Sequence, residues 1–231
     1  DTNTGKPTYY FRGNVENNYV SFAGFTWRIV RINEDGTVRI VMQDGINSNA
    51  KYMFSNSSDY IYMYYSNSQA KQLLENWYQA NIESNTNLAK NVASGNYYCE
   101  QAKVKLDSRF SFGNIPTMPN YNEYIPDFKC ISDDNGYGVI NANIGLLTYD
   151  EVVYAGAFVR INNQSYYLYT TNNGFTMTPG GYWAYPYIWI YGAGPGLLTA
   201  YYSDNTYNRS LHSVINLKSD TQVSSGDGTK N

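Results

Sequence analysis

The chain has 231 residues, enough for one large domain or two small ones. Only 15% of them are charged, against roughly 25% in a typical globular protein, while Tyr reaches 26, Phe 9 and Trp 4. A net charge of −3 and a pI near 5.1 leave no basic footprint for nucleic acid, and no apolar run approaches the roughly 18 residues of a membrane span.

Polarity therefore comes from Asn, Ser, Thr, Gln and Tyr hydroxyls, which make neutral hydrogen bonds suited to sugar or protein contact. Asp1 to Pro7 is polar, with no hydrophobic leader region. That start fits a chain trimmed of a leader or anchor, and equally a cytosolic protein.

Tyr9 to Gln43 reads as antiparallel sheet. Tyr19, Phe22, Phe25, Trp27, Ile29, Val30 and Ile32 form an aromatic and β-branched run broken at Ala23-Gly24. Asp35-Gly36 then precedes Val38 to Met42, a strong hairpin signal. Trp27 and Ile29 partly alternate with Arg28 and Arg31, which predicts one buried face. Ser48 to Asn67 is polar and Tyr-rich, without a period.

Ser66-Asn67-Ser68-Gln69 fits a capping box, and Ala70, Leu73, Leu74, Trp77, Tyr78 and Ile82 recur at helical spacing. That stripe must pack on the sheet, so Trp27, Ile29, Leu73, Leu74, Trp77, Val152 and Ile215 are expected to share one core.

Residues 85–143 are the least regular stretch, with Pro116, Pro119, Pro126 and both cysteines, Cys99 and Cys130. Long irregular regions in compact domains are often functional or cross-linked. The two cysteines are either a disulfide or two buried thiols; their polar, loop-like surroundings favour the disulfide. A bridge would place the protein outside a reducing cytosol. With no CxxC and one histidine, His212, a zinc site is not expected.

Thr148-Tyr149-Asp150-Glu151 is a second capping box, continued by Val152, Val153 and Ala155 and stopped by Gly156. Tyr166 to Tyr169 reads as a strand. Gly192-Ala193-Gly194-Pro195-Gly196 lacks the Lys-Ser/Thr of a phosphate loop and reads as a turn between strands. Val214 to Leu217 is the last strand. No internal repeat or linker divides residues 1–231, so a single domain is expected.

The aromatic segment carries the functional signal. Asp204 is the only charged residue from Ile161 to Asn208. Tyr and Trp supply large contact area at low entropic cost, and Ser, Gly and Asn supply adaptable hydrogen bonds. The candidate ligand-binding residues are Tyr182, Trp183, Tyr185, Tyr187, Trp189, Tyr191, Tyr201, Tyr202, Asn205 and Tyr207. Alternation of Tyr187, Trp189 and Tyr191 with Ile188 and Ile190 predicts one face in and one out.

Titratable chemistry is sparse. His212 has no Ser-His-Asp surroundings and reads as structural. Asp150 and Glu151 are explained by their place in a helix's first turn rather than by glycosidase chemistry. Asp133-Asp134-Asn135 reads as a solvated turn rather than a calcium site.

Several motifs together resemble a group of surface proteins of Gram-positive gut bacteria. They are Tyr9-Tyr10-Phe11-Arg12-Gly13, Val20-Ser21-Phe22-Ala23-Gly24 and Trp27-Arg28-Ile29-Val30-Arg31-Ile32. Further on come Ile144-Gly145-Leu146-Leu147-Thr148, Asp150-Glu151-Val152, Tyr154-Ala155-Gly156 and Phe175-Thr176-Met177-Thr178-Pro179. Val214-Ile215-Asn216-Leu217-Lys218-Ser219-Asp220 and Gly226-Asp227-Gly228-Thr229 complete the set, and the two cysteines fall where that group has them. The group is similar to the C-type-lectin-like fold of formylglycine-generating enzymes and retroelement-diversified receptor-binding proteins.

The resemblance implies an α+β fold: a twisted antiparallel sheet, two main helices, long irregular loops and a displayed segment at Gly180 to His212. His212-Ser213 stands where the group usually has Arg-Pro. The cysteine pair of formylglycine-generating enzymes is missing, since no cysteine follows Cys130. The Glu-Pro-Asn, Gln-Pro-Asp and Trp-Asn-Asp ligands of calcium-dependent lectins are missing too. The expectation is an extracellular, bacterial cell-surface module that binds protein or carbohydrate on another cell or surface. It is not expected to be an enzyme or to use a cofactor, metal or nucleic acid. An anchoring partner is compatible with this reading. The alternative is a structural surface or pilus subunit that buries the aromatic face against a neighbouring copy.

Overall fold

Two turns organise the N-terminal sheet in this computed structural model. The structure describes residues 4–94, 96–100, 126, 128–130, 138–159, 161–183, 185–194, 196–203 and 209–230. Strands β2 (Tyr19–Phe22) and β3 (Phe25–Ile32) are joined by Ala23 and Gly24, at φ 56° and 79°. Two consecutive left-handed residues give a hairpin turn whose twist matches that of the strands. Between β3 and β4 (Val38–Met42), Asp35 accepts from the Thr37 N–H at 2.9 Å and Thr37 Oγ1 at 2.6 Å. β1 (Tyr9–Tyr10) also pairs with β3, and β10 (Val214–Leu217) pairs with β4, with Ile215 opposite Ile40. The order is β1-β3-β4-β10, with β2 also on β3.

A register shift between Ile29 and Arg31 sets Arg31 opposite Arg39. The expected single buried face of β3 is corrected: Trp27 and Arg28, on opposite faces, are both buried. The Arg28 guanidinium lies 3.8 Å from the Tyr19 ring centroid and donates to Asn18 Oδ1 and the Val15 carbonyl. Its charge is tolerated there because ring face and acceptors replace water.

The chain then makes α1 (Ile46–Asn49), in which Asn47, Ser48 and Asn49 have φ of 50°, 57° and 65°. Asn49 holds this left-handed turn, accepting from the Gly45 N–H at 2.6 Å. Short 3-10 turns at Tyr60–Met63 and Tyr65–Asn67 lead into α2 (Gln69–Tyr78).

The α2 cap is Ser68, not Ser66. Ser68 Oγ accepts from the Lys71 N–H at 3.1 Å, while Ser66 gives its N–H and hydroxyl to the buried Glu100 carboxylate. The 3-10 turn already coils Ser66 and Asn67, so the cap moves to the first extended residue before α2. Trp77 projects onto the sheet, its ring 5.1 Å from Phe25 and 6.3 Å from Trp27. α2 runs into a π-helical stretch, Gln79–Glu83, followed by α3 (Thr86–Ala89).

β5 (Asn96–Cys99) pairs with β6 (Val139–Ala142), and a Cys99–Cys130 disulfide joins Cα atoms 5.4 Å apart. α4 (Tyr149–Ala155) carries the predicted capping box: Thr148 Oγ1 accepts from the Glu151 N–H, and Glu151 accepts from the Thr148 N–H. Gly156 stops it at φ 123°, in the left-handed half of backbone space that favours glycine.

Tyr166 to Tyr169 is a turn rather than the expected strand. The Tyr169 N–H bonds to the Tyr166 carbonyl, and Tyr166, Tyr167 and Leu168 are all buried. Consecutive residues that fill space on every side cannot keep the in-out alternation of a strand.

The second sheet is a meander of β7 (Gly174–Trp183), β8 (Tyr185–Ala193) and β9 (Leu197–Tyr202). Gly192, Gly194 and Gly196, all at positive φ, make the predicted turn between β8 and β9. A Cβ on Gly196 would lie 1.9 Å from the Asn163 carbonyl oxygen.

Side chains from the sheets and helices form one core. Trp27, Leu74, Trp77, Val152 and Ile215 lie in it, with Ile29 and Leu73 packed against it, as the periodicity predicts. The fold is mixed α+β, mostly antiparallel sheet with few helices. Among the described residues no helix is long and apolar enough to cross a membrane.

Candidate binding surface

The meander gathers most of the candidate aromatics by register. Trp183 stands opposite Tyr185 and Tyr182 opposite Pro186, at the β7–β8 turn. Tyr187 pairs with Tyr202 and Ile188 with Tyr201, at the same end of the sheet. Tyr182, Trp183, Tyr185, Tyr201 and Tyr202 thus collect where β7 ends, β8 begins and β9 ends. Asn205 and Tyr207 lie outside the described residues, as do Asp204 and Asp133-Asp134-Asn135.

The other three aromatics turn inward. Trp189 is 1% exposed and packs against Tyr149 with ring centroids 4.6 Å apart. Tyr191 is 2% exposed and its ring lies 5.9 Å from that of His212. Tyr187 is buried too, its ring 4.5 Å from that of Tyr202.

Ile188 and Ile190 on the opposite face are equally buried, so the predicted in-out alternation is corrected. β8 is the central strand, and the 3-10 turn Tyr60–Met63 packs against the meander while Tyr149 meets Trp189. A strand covered on both faces loses its alternation signal. Trp189 and Tyr191 are core residues rather than parts of a presented surface. Burial holds the Tyr191 phenol far above its ordinary value; burial and a hydrogen bond to Tyr202 do the same for Tyr187.

His212 is buried, with Nδ1 at 3.2 Å from the Met42 carbonyl. Burial lowers its pKa to about 4, so the ring is neutral at pH 7. Neutral, it donates from Nδ1 to Met42 and leaves Nε2 as an acceptor without a partner among the described residues. With Arg28, Tyr167 and Tyr191 it borders a cavity of about 10 Å³, the room of roughly one water molecule.

Glu151 does more than cap α4. Its carboxylate lies 3.1 Å from Arg31 Nε and 2.5 Å from Arg39 Nε. Arg39 also donates to the Leu146 carbonyl at 3.2 Å and stacks 4.6 Å from the Tyr98 ring centroid. Burial pushes the Glu151 carboxyl up, but Arg39, Arg31 and the Thr148 N–H outweigh it, so the net direction is down. The group is held ionised and paired, the condition of a structural tie rather than of a proton donor. The cue in the sequence was a pair of arginines inside β-rich runs, yet only the register brings them to one carboxylate.

No protein-family model, curated protein or solved structure matches the chain.

Proposed function

We propose that this chain is an extracellular ligand-binding or adhesive module at a bacterial cell surface. It recognises protein or carbohydrate on another surface through the aromatic end of the β7–β8–β9 meander. We read the fold as C-type-lectin-like, with the meander as its displayed segment.

The observation that carries the proposal is the register, which brings Tyr182, Trp183, Tyr185, Tyr201 and Tyr202 to one end of a sheet in a stretch almost without charge. Tyr and Trp dominate binding hot spots, each costing about 2 kcal/mol or more on truncation. The Cys99–Cys130 disulfide supports an oxidising compartment.

The test uses fluorescently labelled protein on cultured epithelial cells and on a printed glycan array. The double variant Trp183→Ala, Tyr185→Ala should lose binding and keep its unfolding midpoint. Tyr202 is left intact because it packs on Tyr187. Full binding by the folded double variant would refute the assignment. Light scattering supplies the second arm: a monomer fits a binding module, whereas concentration-dependent polymers lost in the double variant would favour a self-assembling surface or pilus subunit.

A further inference from the structure

The aromatic end of the meander is bounded by a second segment, from the N-terminal half of the chain. The Ser203 N–H donates to the Pro186 carbonyl at 2.9 Å, which carries the β8–β9 pairing past Tyr202. The Ser55 N–H donates in turn to the Ser203 carbonyl at 3.1 Å. Ser55 therefore lies at the end of the sheet where Tyr182, Trp183, Tyr185, Tyr201 and Tyr202 collect.

From Ser55 the chain leaves in short, self-braced steps. Ser55 Oγ accepts from the Ser57 N–H at 3.2 Å, Ser57 Oγ from the Asp59 N–H at 3.2 Å, and Asp59 Oδ1 from the Ile61 N–H at 3.3 Å. Each side chain bonds the backbone two residues on, which fixes a polar loop without a core of its own. The loop ends in the 3-10 turn Tyr60–Met63, which packs against β7 and β8. Asp59 is thereby held at this end of the sheet, exposed and in no ion pair among the described residues.

Charge has one sign here. Between Lys51 and Lys71 the only charged residue is Asp59. Between Ile161 and Asn208 it is Asp204, which lies outside the described residues. The cations of these segments sit at the other end of the meander. Lys51 Nζ donates to the Asn172 carbonyl at 2.6 Å, just before β7 begins. Arg209 bridges to Tyr52, and its neighbour Ser210 bridges to Gly174, the first residue of β7. The meander is thus polarised along its strands, with cations where β7 starts and a carboxylate beside the aromatics where β7 ends.

Tyr and Trp rings present a negative face that attracts a guanidinium or an ammonium. A carboxylate beside them adds to that attraction and repels phosphate, sulfate or carboxylate groups. An uncharged sugar draws nothing from the polarity.

We propose that the occupant of the aromatic end is a basic protein segment, whose arginine or lysine side chains stack on the Tyr and Trp rings and pair with Asp59. This rests on the aromatic end being the binding surface, as proposed above, and adds to it the partner's charge and the loop that carries Asp59.

The experiment is fluorescence anisotropy of the full chain with three labelled peptides, in which glycine alternates with arginine, citrulline or glutamate. Citrulline keeps the size of arginine without its charge. The arginine peptide should bind about tenfold more tightly than the citrulline peptide, the scale of one desolvated cation–π contact, and the glutamate peptide should not bind. Raising NaCl from about 0.1 M to about 1 M, which shortens the Debye length from about 10 Å to about 3 Å, should weaken the arginine peptide. Asp59→Asn should weaken it about threefold. The unfolding midpoint of that variant should not move, since asparagine can still accept from the Ile61 N–H. Asp220→Asn removes the same charge from an exposed position just beyond β10, on the other sheet, and should leave binding intact. The Trp183→Ala, Tyr185→Ala variant should lose the arginine peptide. The proposal is overturned if the arginine and citrulline peptides bind alike, if Asp59→Asn and Asp220→Asn have equal effects, or if the aromatic double variant keeps the peptide. Loss of cell or glycan binding by that double variant, with no arginine-peptide binding by the wild type, would leave the binding surface standing and sink only the basic partner.

Discussion

Glu151→Gln isolates the buried charge at the junction of sheet and helix. Glutamine keeps the size of the side chain and can still accept from the Thr148 N–H, so the capping box survives. What disappears is the charge that faces Arg31 and Arg39. Arg39 is the costlier of the two, because its side chain is 2% exposed against 17% for Arg31. Removing one partner of a buried ion pair costs about 3–5 kcal/mol, because the other charge is left without compensation. A chain of this size shifts by about 2–4 °C per kcal/mol, so the unfolding midpoint should fall by about 6–20 °C. Adding Arg39→Met to the same background removes the stranded charge and should recover part of the loss. Thermal and urea unfolding, followed by circular dichroism, measure both variants. A Glu151→Gln midpoint within about 1 °C of the wild type, or an added loss in the double variant, would refute the reasoning.

The titration of two buried groups should be visible in the same assay. His212 has a folded pKa of about 4, below the roughly 6.5 of an unfolded histidine, so between these values only the unfolded chain takes up its proton. Stability should therefore rise by up to about 1.4 kcal/mol per pH unit from pH 4 to 6.5 and level off above, and His212→Gln should flatten that slope. Glu151, lowered in the folded chain, contributes fully above the usual carboxylate range and loses its contribution as pH falls through its folded value; Glu151→Gln should remove that acid-limb component. Replacing Cys99 and Cys130 together with Ala should cost about 3–4 kcal/mol from loop closure over 31 positions, read as a lower urea midpoint; no change would mean that the bridge does not constrain the unfolded chain. Gly196→Ala should destabilise by more than about 2 kcal/mol, since the added Cβ meets the Asn163 carbonyl; an unchanged midpoint would show that the β8–β9 turn relaxes freely.

Local chemistry was legible along the chain. The Asp35-Gly36 hairpin, the Thr148–Glu151 capping box, the Gly156 stop and the stripe of Leu74 and Trp77 all depend on residues within a few positions of one another. Hydrogen bonding and amphipathic period act at that range, so the sequence carries them directly. The start of α2 was legible only to within a turn, because Ser66 and Ser68 are equally good caps and the buried Glu100, distant in sequence, claims Ser66.

What tertiary structure alone decided is which surfaces are covered. The composition of residues 182–207 marks a stretch rich in binding-type side chains, but Trp189 and Tyr191 have the same chemistry as Trp183 and Tyr185. They are core because β8 is central and the turn Tyr60–Met63, which shows no period in the sequence, packs against its sheet. Glu151, Arg31 and Arg39 likewise read as a cap and two strand charges until the register brings them together. Glu75 to Glu83 and Asn143-Ile144 border one cleft, a juxtaposition that no local pattern encodes. Burial and long-range pairing depend on the whole chain closing on itself, whereas caps, turns and stripes depend only on their neighbours.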